Sequence, residues 1–352
     1  MNYRTYLKFE VRSFLLENGI INRYNERKEM MIMKKRYLIY SFLAACFILG
    51  LFISILYFIE SIEYERQIKD LSNDQVSLPE HHFVLISEEI EHEYWQQVKQ
   101  GVNDAEAHYD VYVEYSGPEY SNPHEQAKLF DMAIAKKVDG IIVQAINETM
   151  FAPLIDQAIA QNIPVITIDT DLPNSSRIAY IGTDNYRSGQ LAGQALIDDM
   201  DGEVFIGIIQ SNFESTHQQQ RVQGFIDVID SEPDIKIIAM EQSGNSRIGA
   251  TEKADQLLKN HPEINAFYGT SALDGIGIAS SLNEIEQGNK YIIAFDTLDE
   301  TVELLKQGKI NAIVSQEPYE MGFRSVGILY DIINGREVNE INHTNTRIIR
   351  QP

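Results

Sequence analysis

From residue 83 onward the chain repeats one pattern: a short apolar, β-branched run, then a longer stretch whose apolar positions recur every three or four residues. The short runs fall at residues 83–86, 111–115, 140–143, 165–168, 178–181, 204–209, 235–239, 266–268, 291–295 and 312–314. Most are too short and too uniformly apolar to be half-exposed, so they predict parallel strands covered on both faces. Residues 94–108, 123–137, 151–161, 186–200, 251–260 and 300–307 carry the helical period. Strand, helix, strand throughout predicts a doubly wound α/β fold. About ten strands exceed what one open sheet usually holds, which predicts two lobes.

A different pattern precedes this. Residues 37–59 are 23 consecutive uncharged, mostly apolar positions, long enough as a helix at about 1.5 Å per residue to cross a hydrocarbon core of about 30 Å. Lys34, Lys35 and Arg36 stand immediately before the run, and Glu60, Glu63 and Glu65 just after it. The positive-inside rule then predicts a cytoplasmic N-terminus and an extracellular body. Two other readings compete. A cleaved signal peptide has a shorter apolar region followed by polar sequence, whereas this run continues to Ile59. Leu43-Ala44-Ala45-Cys46 has the pattern of a lipobox with Cys46 as the acylated residue, but the thirteen positions after Cys46 stay uncharged. The uncleaved span fits the run best. Met33-Lys34-Lys35-Arg36 also looks like a bacterial start, which makes Met30, Met31 or Met33 candidate first residues. Residues 60–71 are expected to continue as a polar helical stalk, and residues 72–80 have linker composition.

Charge divides the chain at the same place. The 352 residues carry 29 Lys/Arg against 52 Asp/Glu, a net charge of −23. Residues 1–59 hold nine Lys/Arg against four Asp/Glu, net +5, leaving 20 against 48 beyond them, net −28. So acidic a body offers no basic face for nucleic acid. A single Cys excludes an intrachain disulfide framework and a Cys-rich zinc module.

In doubly wound sheets, ligands bind beyond the carboxyl ends of the strands. Ser87, Glu88, Asp169, Ser271, Asp296 and Gln316 occupy such ends. Any one of them reads equally well as a turn or cap residue, but as a set they predict a polar crevice. Catalytic signatures are incomplete. His92-Glu93-Tyr94-Trp95-Gln96 lacks the second imidazole of a zincin helix, and Gly269-Thr270-Ser271-Ala272-Leu273 lacks the closing Gly of a nucleophile elbow. Neither a P-loop nor a post-strand G-x-G-x-x-G occurs, and no calcium-loop pattern is present. No enzyme activity, cofactor or metal is expected. Asp198, Asp199 and Asp201 read as a frayed acidic helix end, and His81-His82 as a solvated pair.

Seven segments, in order and spacing, resemble the type I periplasmic binding proteins, specifically their ribose-binding-like branch, over residues 82–352. They are Val84-Leu85-Ile86-Ser87 followed by Tyr94-Trp95-Gln96-Gln97-Val98-Lys99-Gln100-Gly101; Ile163-Pro164-Val165-Ile166-Thr167-Ile168-Asp169; Tyr180-Ile181-Gly182-Thr183-Asp184-Asn185; Gln220-Arg221-Val222-Gln223-Gly224-Phe225; Ile293-Ala294-Phe295-Asp296; and Val314-Ser315-Gln316-Glu317-Pro318. The resemblance implies two Rossmann-like lobes joined by hinge strands, residues 81–183 plus 317–343 and residues 184–316 plus 344–352, which close on a monosaccharide-like ligand. It also implies a site. Tyr94 and Trp95 match the aromatic pair that sandwiches the sugar, and Asp169, Arg221, Asp296 and Gln316 match its polar contacts. A sugar's apolar C–H face and rim of hydroxyls suit such a set.

Three positions depart from the ribose pattern: Thr170 and Ser271 replace an Arg and an Asn, and His92 stands where an Asn is usual. Glu88, His92, Asn245 and Asp274, with Ser271, are the candidate substitutes. Asp184 and Asn185 are read as hinge or helix-capping residues. The resemblance further implies a membrane partner, an ABC permease or alternatively a sensor histidine kinase. A repressor of the fold's DNA-binding branch would need an N-terminal helix-turn-helix where the apolar span lies.

Overall fold

The computed structural model describes residues 3–17, 19–73, 79–284 and 290–351. The chain forms two compact units, Met1–Leu78 and Pro79–Pro352.

The first unit holds α1 (Tyr3–Glu17) and α2 (Ile20–Asn73). Within α2, Arg27–Ile59 has a mean hydropathy of 2.7 over its most apolar window, with none of that window buried in the protein. A helix apolar on every side and unburied is suited to lipid rather than to a soluble core. Beyond Ile59 the helix continues unbroken through the predicted stalk to Asn73. Residues 74–78, part of the predicted linker, lie outside the described residues.

The second unit is built from β1 (His82–Ile86), α3 (Glu93–Tyr109), β2 (Tyr112–Ser116), α4 (Pro123–Lys136), β3 (Gly140–Val143), α5 (Glu148–Ala160), β4 (Val165–Ile168), β5 (Ala179–Thr183), α6 (Asn185–Asp199), β6 (Val204–Gln210), α7 (Thr216–Ile229), β7 (Ile235–Gln242), α8 (Arg247–Asn260), β8 (Ala266–Gly269), α9 (Asp274–Glu284), β9 (Tyr291–Phe295), α10 (Asp299–Lys306), β10 (Ala312–Ser315), α11 (Pro318–Ile333), β11 (Ile341–Thr344) and β12 (Arg347–Arg350). Side chains start most of these helices where backbone N–H groups lack partners. Asn122, Asn147, Asp184 and Ser246 each accept a backbone N–H at the head of their helix, and Pro occupies the first turn of α4 and α11.

Two six-stranded sheets result. One has the order β11-β5-β4-β3-β1-β2, and the other β12-β10-β9-β8-β6-β7. All pairings are parallel except β10 with β12. The orders correspond strand for strand, so each lobe has its topological switch point at the same place, between β1 and β3 or between β6 and β8. The buried faces explain the unbroken apolar runs. In β1, Phe83 and Leu85 face one core with Ile142 and Ile166, while Val84 and Ile86 face another with Ile141 and Val143.

The chain passes between lobes three times, at β5 to α6, β10 to α11 and β11 to β12. The last two strands were not predicted. Both are four residues long and lie at sheet edges; β11 (Ile-Asn-His-Thr) is polar at three of its four positions and β12 (Arg-Ile-Ile-Arg) carries an Arg at each end, so neither gives an apolar run.

Candidate functional site

Two turns that mirror each other set the centre of the site. Asp169 follows β4 and Asp296 follows β9, and both have left-handed backbones, with φ of 64° and 67°. Each donates its N–H to the neighbouring strand, Asp169 to Ile181 O and Asp296 to Val314 O, both at 2.9 Å. An Asp tolerates this conformation better than most residues but is still strained in it. The effect is to lift each carboxyl group off the end of its sheet into the space between the lobes. That space is a cavity of about 580 Å³ lined from both sides, and Asp169 and Asp296 are each 5% exposed.

Asp169 accepts from Tyr94 Oη at 2.6 Å and Gln144 Nε2 at 2.8 Å, and Thr170 Oγ1 lies within hydrogen-bond reach at 3.3 Å. Asp296 accepts from Gln316 Nε2 at 2.7 Å. Arg221, on α7, is fixed at every nitrogen: Nε donates to Asn185 Oδ1 (2.9 Å), Nη1 to Thr270 O (2.8 Å) and Nη2 to Gln316 Oε1 (3.2 Å). Its guanidinium also stacks 3.8 Å from the Phe295 ring. Gln316 Oε1 accepts a further hydrogen bond from Thr183 Oγ1 at 2.5 Å. The hinge segment carrying Gln316 is thereby tied to Arg221, Asp296 and the end of β5.

Burial sets the protonation of this cleft. It pushes the Asp296 carboxyl up to about 6, with Arg221 opposing and Asp169 adding to the rise. It pushes Glu88 up to about 7 despite the bond from Ser121. His217 moves the other way, to about 4, through burial and then the charge of Arg221, so it is neutral at pH 7. Burial and the neighbouring Asp169 and Asp296 raise the Tyr94 hydroxyl well above its ordinary value, so it remains a donor.

The cavity brings together Tyr94, Trp95, Asp169, Arg221, Asp296, Gln316, Glu88, His92, Asn245 and Ser271. Asp274 is not among its lining residues. It is fully buried at the start of α9, where it accepts from Ser243 Oγ (2.7 Å) and the Ser271 N–H (3.0 Å), holding a loop rather than facing a ligand. The aromatic pair is corrected too. Tyr94 and Trp95 meet edge to face with ring centroids 5.6 Å apart, so they form one wall and leave no slot between them. His92 accepts the Tyr94 N–H at Nδ1 (3.2 Å) and so caps α3 while lining the cleft.

Two residues outside the cleft also differ from expectation. Asp199 is not frayed: it accepts from Arg350 Nε (2.9 Å) and Tyr291 Oη (2.5 Å), clamping β12. His82 belongs to β1, with Nε2 3.4 Å from Glu114.

Sequence reasoning missed Gln144, His217 and Gln218, all cavity-lining. Gln144 follows β3, so the strand-end rule applied there would have found it. His217 and Gln218 lie in the polar run Ser215-Thr216-His217-Gln218, which has no periodic signal. Gln144 Oε1 and Ser271 Oγ are buried with no hydrogen-bond partner among the described residues. A crevice with an unpartnered amide oxygen and hydroxyl, carboxylates and a fixed guanidinium offers both donors and acceptors to a polar ligand.

Comparison with known proteins agrees. The family model described as periplasmic binding protein domain matches residues 83–337. The chain belongs to this family, in its type I sugar-binding form. These are substrate-binding proteins rather than enzymes, and their binding domain works outside the cytoplasm. Among solved structures, GanP, a glucose-galactose binding protein from Geobacillus stearothermophilus, is 46% identical with a TM-score of 0.75, covering 77% of this chain and 97% of its own. The XylFII molecule is 34% identical with a TM-score of 0.73, covering 77% and 99%, and the same fold has been solved as the XylFII-LytSN complex. The D-allose-binding periplasmic protein of Escherichia coli (strain K12) is 21% identical over 259 residues, 71% of this chain and 83% of that one.

Proposed function

We propose that the protein is a membrane-anchored receptor whose two lobes close on a neutral monosaccharide and present it to an ABC importer. The observation that carries the reading is the pair of left-handed aspartates, one at a strand end of each lobe, lining one cavity with Arg221 and Gln316, of which Gln316 bonds both Arg221 and Asp296. Tyr94, Trp95, Asp169, Arg221, Asp296 and Gln316 are the proposed ligand contacts, with Glu88, His92, Asn245 and Ser271 as secondary candidates. Residues 37–59 are the anchor, with the N-terminus in the cytoplasm and the body outside.

GanP makes D-glucose and D-galactose the first sugars to test. Calorimetric titration against these two, D-xylose, D-ribose and D-allose is expected to show one tight binder. Hydrogen bonds to charged groups contribute about 1.5–3 kcal/mol each, so three account for most of the roughly 8 kcal/mol of micromolar affinity before association costs. Failure of every sugar to bind would overturn the reading.

A second reading is a ligand-sensing subunit that signals to a sensor histidine kinase. The uncleaved span favours it, because a helix continuous from Ile20 to Asn73 ties the body to the membrane more firmly than a lipid tail. The XylFII-LytSN complex adds that a body of this fold assembles with a second protein. Deleting the gene separates the two. Loss of sugar uptake with unchanged transcription supports the importer, and loss of sugar-dependent transcription with uptake intact supports the sensor.

A further inference from the structure

Where the ribose-binding branch has Arg after the first-lobe aspartate, this chain has Thr170, and its side chain reaches across the cleft. Thr170 Oγ1 lies 3.0 Å from Nδ1 of His217, which belongs to the other lobe at the start of α7. The same ring nitrogen is 2.8 Å from Ser215 Oγ. Ser215 occupies the N-cap position of α7, yet makes no side-chain capping bond, unlike Asn122, Asn147, Asp184 and Ser246 at their helices. Its hydroxyl is spent on the histidine instead.

We propose that Thr170 and His217 form a latch between the lobes, positioning residues that hold the cleft closed and set how long the ligand is retained. Whether that ligand is a sugar rests on the function proposed above. The latch has two alternative arrangements because its parts are single-valent. A neutral imidazole offers one lone pair, on one ring nitrogen, and burial beside Arg221 keeps His217 neutral. In the tautomer that carries its proton on Nε2, the lone pair is on Nδ1, and two hydroxyls, one from each lobe, compete for it. With Thr170 donating, the lobes are joined. With Ser215 donating, His217 is satisfied within its own lobe and the cleft is free to open.

Ligand biases the choice through Asp169. The single hydroxyl hydrogen of Thr170 has two acceptors within reach, His217 Nδ1 at 3.0 Å and Asp169 Oδ2 at 3.3 Å. A ligand hydroxyl donating to Asp169 satisfies that carboxylate and leaves the Thr170 hydrogen to His217. Contact with the ligand on one wall is thereby converted into a bond between walls, which supplies the differential interaction that a ligand-driven closure requires.

The test uses the full chain in detergent with Cys46→Ser, and spin labels at Tyr120→Cys and Ile248→Cys. These positions lie in opposite lobes, are each 72% exposed and do not line the cavity. In the ligand-free protein, Thr170→Val and His217→Ala are expected to shift the interlobe distance distribution to longer values, and Thr170→Ser to leave it as in the parent. Unchanged distributions in Thr170→Val and His217→Ala would overturn the latch. D-galactose and D-glucose then serve as probes by stopped-flow Trp95 fluorescence. Each latch variant is expected to raise the dissociation rate by about 3- to 10-fold, the worth of one hydrogen bond, with little change in association rate. The double variant is expected to match either single one, and additive effects would overturn the proposal. If neither sugar binds the parent protein, the sugar reading fails, while the distance measurement still decides the latch.

Discussion

Asp169 and Asp296 illustrate how much of this protein's chemistry rests on two backbone angles. A carboxylate on ordinary extended backbone would continue the pleat of its strand, whereas the left-handed turn aims it into the cleft. Asn tolerates the same turn, so Asp169→Asn isolates the charge from the geometry. It is expected to weaken sugar binding by about 10- to 100-fold, the range of a charged hydrogen bond, and to lower the melting temperature by a few degrees, because the amide NH2 must face either the Tyr94 or the Gln144 donor. Arg221→Ala is expected to cost at least as much affinity and also stability, because Asn185, Thr270 and Gln316 each lose a buried partner. The pH dependence follows from Glu88 at about 7 and Asp296 at about 6. Hydroxyl donors favour the ionised forms, so a sugar lowers both values and binding releases protons. Affinity should therefore tighten as pH rises from 5 to 8 and level off above it. Calorimetry at pH 6.5 in two buffers of different ionisation enthalpy should register the proton release, and Glu88→Gln should flatten the upper part of the profile. A profile that weakens with rising pH would contradict hydroxyl donation to these carboxylates.

At the scale of elements, glycines decide how closely helices cross, and hence where the site residues sit. A Cβ on Gly189 of α6 would lie 2.0 Å from the backbone carbonyl oxygen of Arg221, and one on Gly224 of α7 would lie 2.0 Å from that of Tyr186. The same reciprocal contact recurs in the other lobe, where Gly101 of α3 meets Tyr319 O at 2.0 Å and Gly322 of α11 meets Val98 O at 2.1 Å. Backbone cannot yield as a flexible side chain can, so the helices must separate. Gly189→Ala is expected to destabilise the protein by about 1–3 kcal/mol, and at about 2–4 °C per kcal/mol that is a readily measured fall in melting temperature. Because α7 carries Arg221, sugar affinity should fall with it. Gly101→Ala is expected to lower stability similarly and to disturb the Tyr94–Trp95 wall on α3. An alanine at Gly189 that changed neither property would show that the crossing has slack.

At the scale of the whole molecule, the two compact units predict separable roles. A chain of residues 79–352 is expected to bind sugar as tightly as the full protein, with quenching or a shift of Trp95 emission as the readout, and to stay in the soluble fraction where the full chain partitions with membranes. Much of this division was legible in the sequence. The 23-residue uncharged run, the change from net +5 to net −28 and the alternation of strand and helix are local properties, set by transfer free energy and backbone period, and they determined a long apolar helix and a doubly wound body. The strand-end rule found Glu88, Asp169, Ser271, Asp296 and Gln316 because a strand's direction fixes which end faces the crevice. Other features depended on residues far apart in the chain. Asp274 and His92 share the polar character of ligand contacts, and only their packing shows that one closes a loop and the other caps a helix. β11 and β12 are too polar to announce themselves and exist because an edge position was open beside β5 and β10. The meeting of Thr170 with His217, 47 residues apart and in different lobes, follows from how the lobes are placed against each other, which no local pattern encodes. The sequence by itself determined the elements and most of the chemistry available at their ends. The tertiary structure decided which of those groups are spent on one another and which are left facing the cleft, because hydrogen-bond satisfaction is settled only when every neighbour is in place.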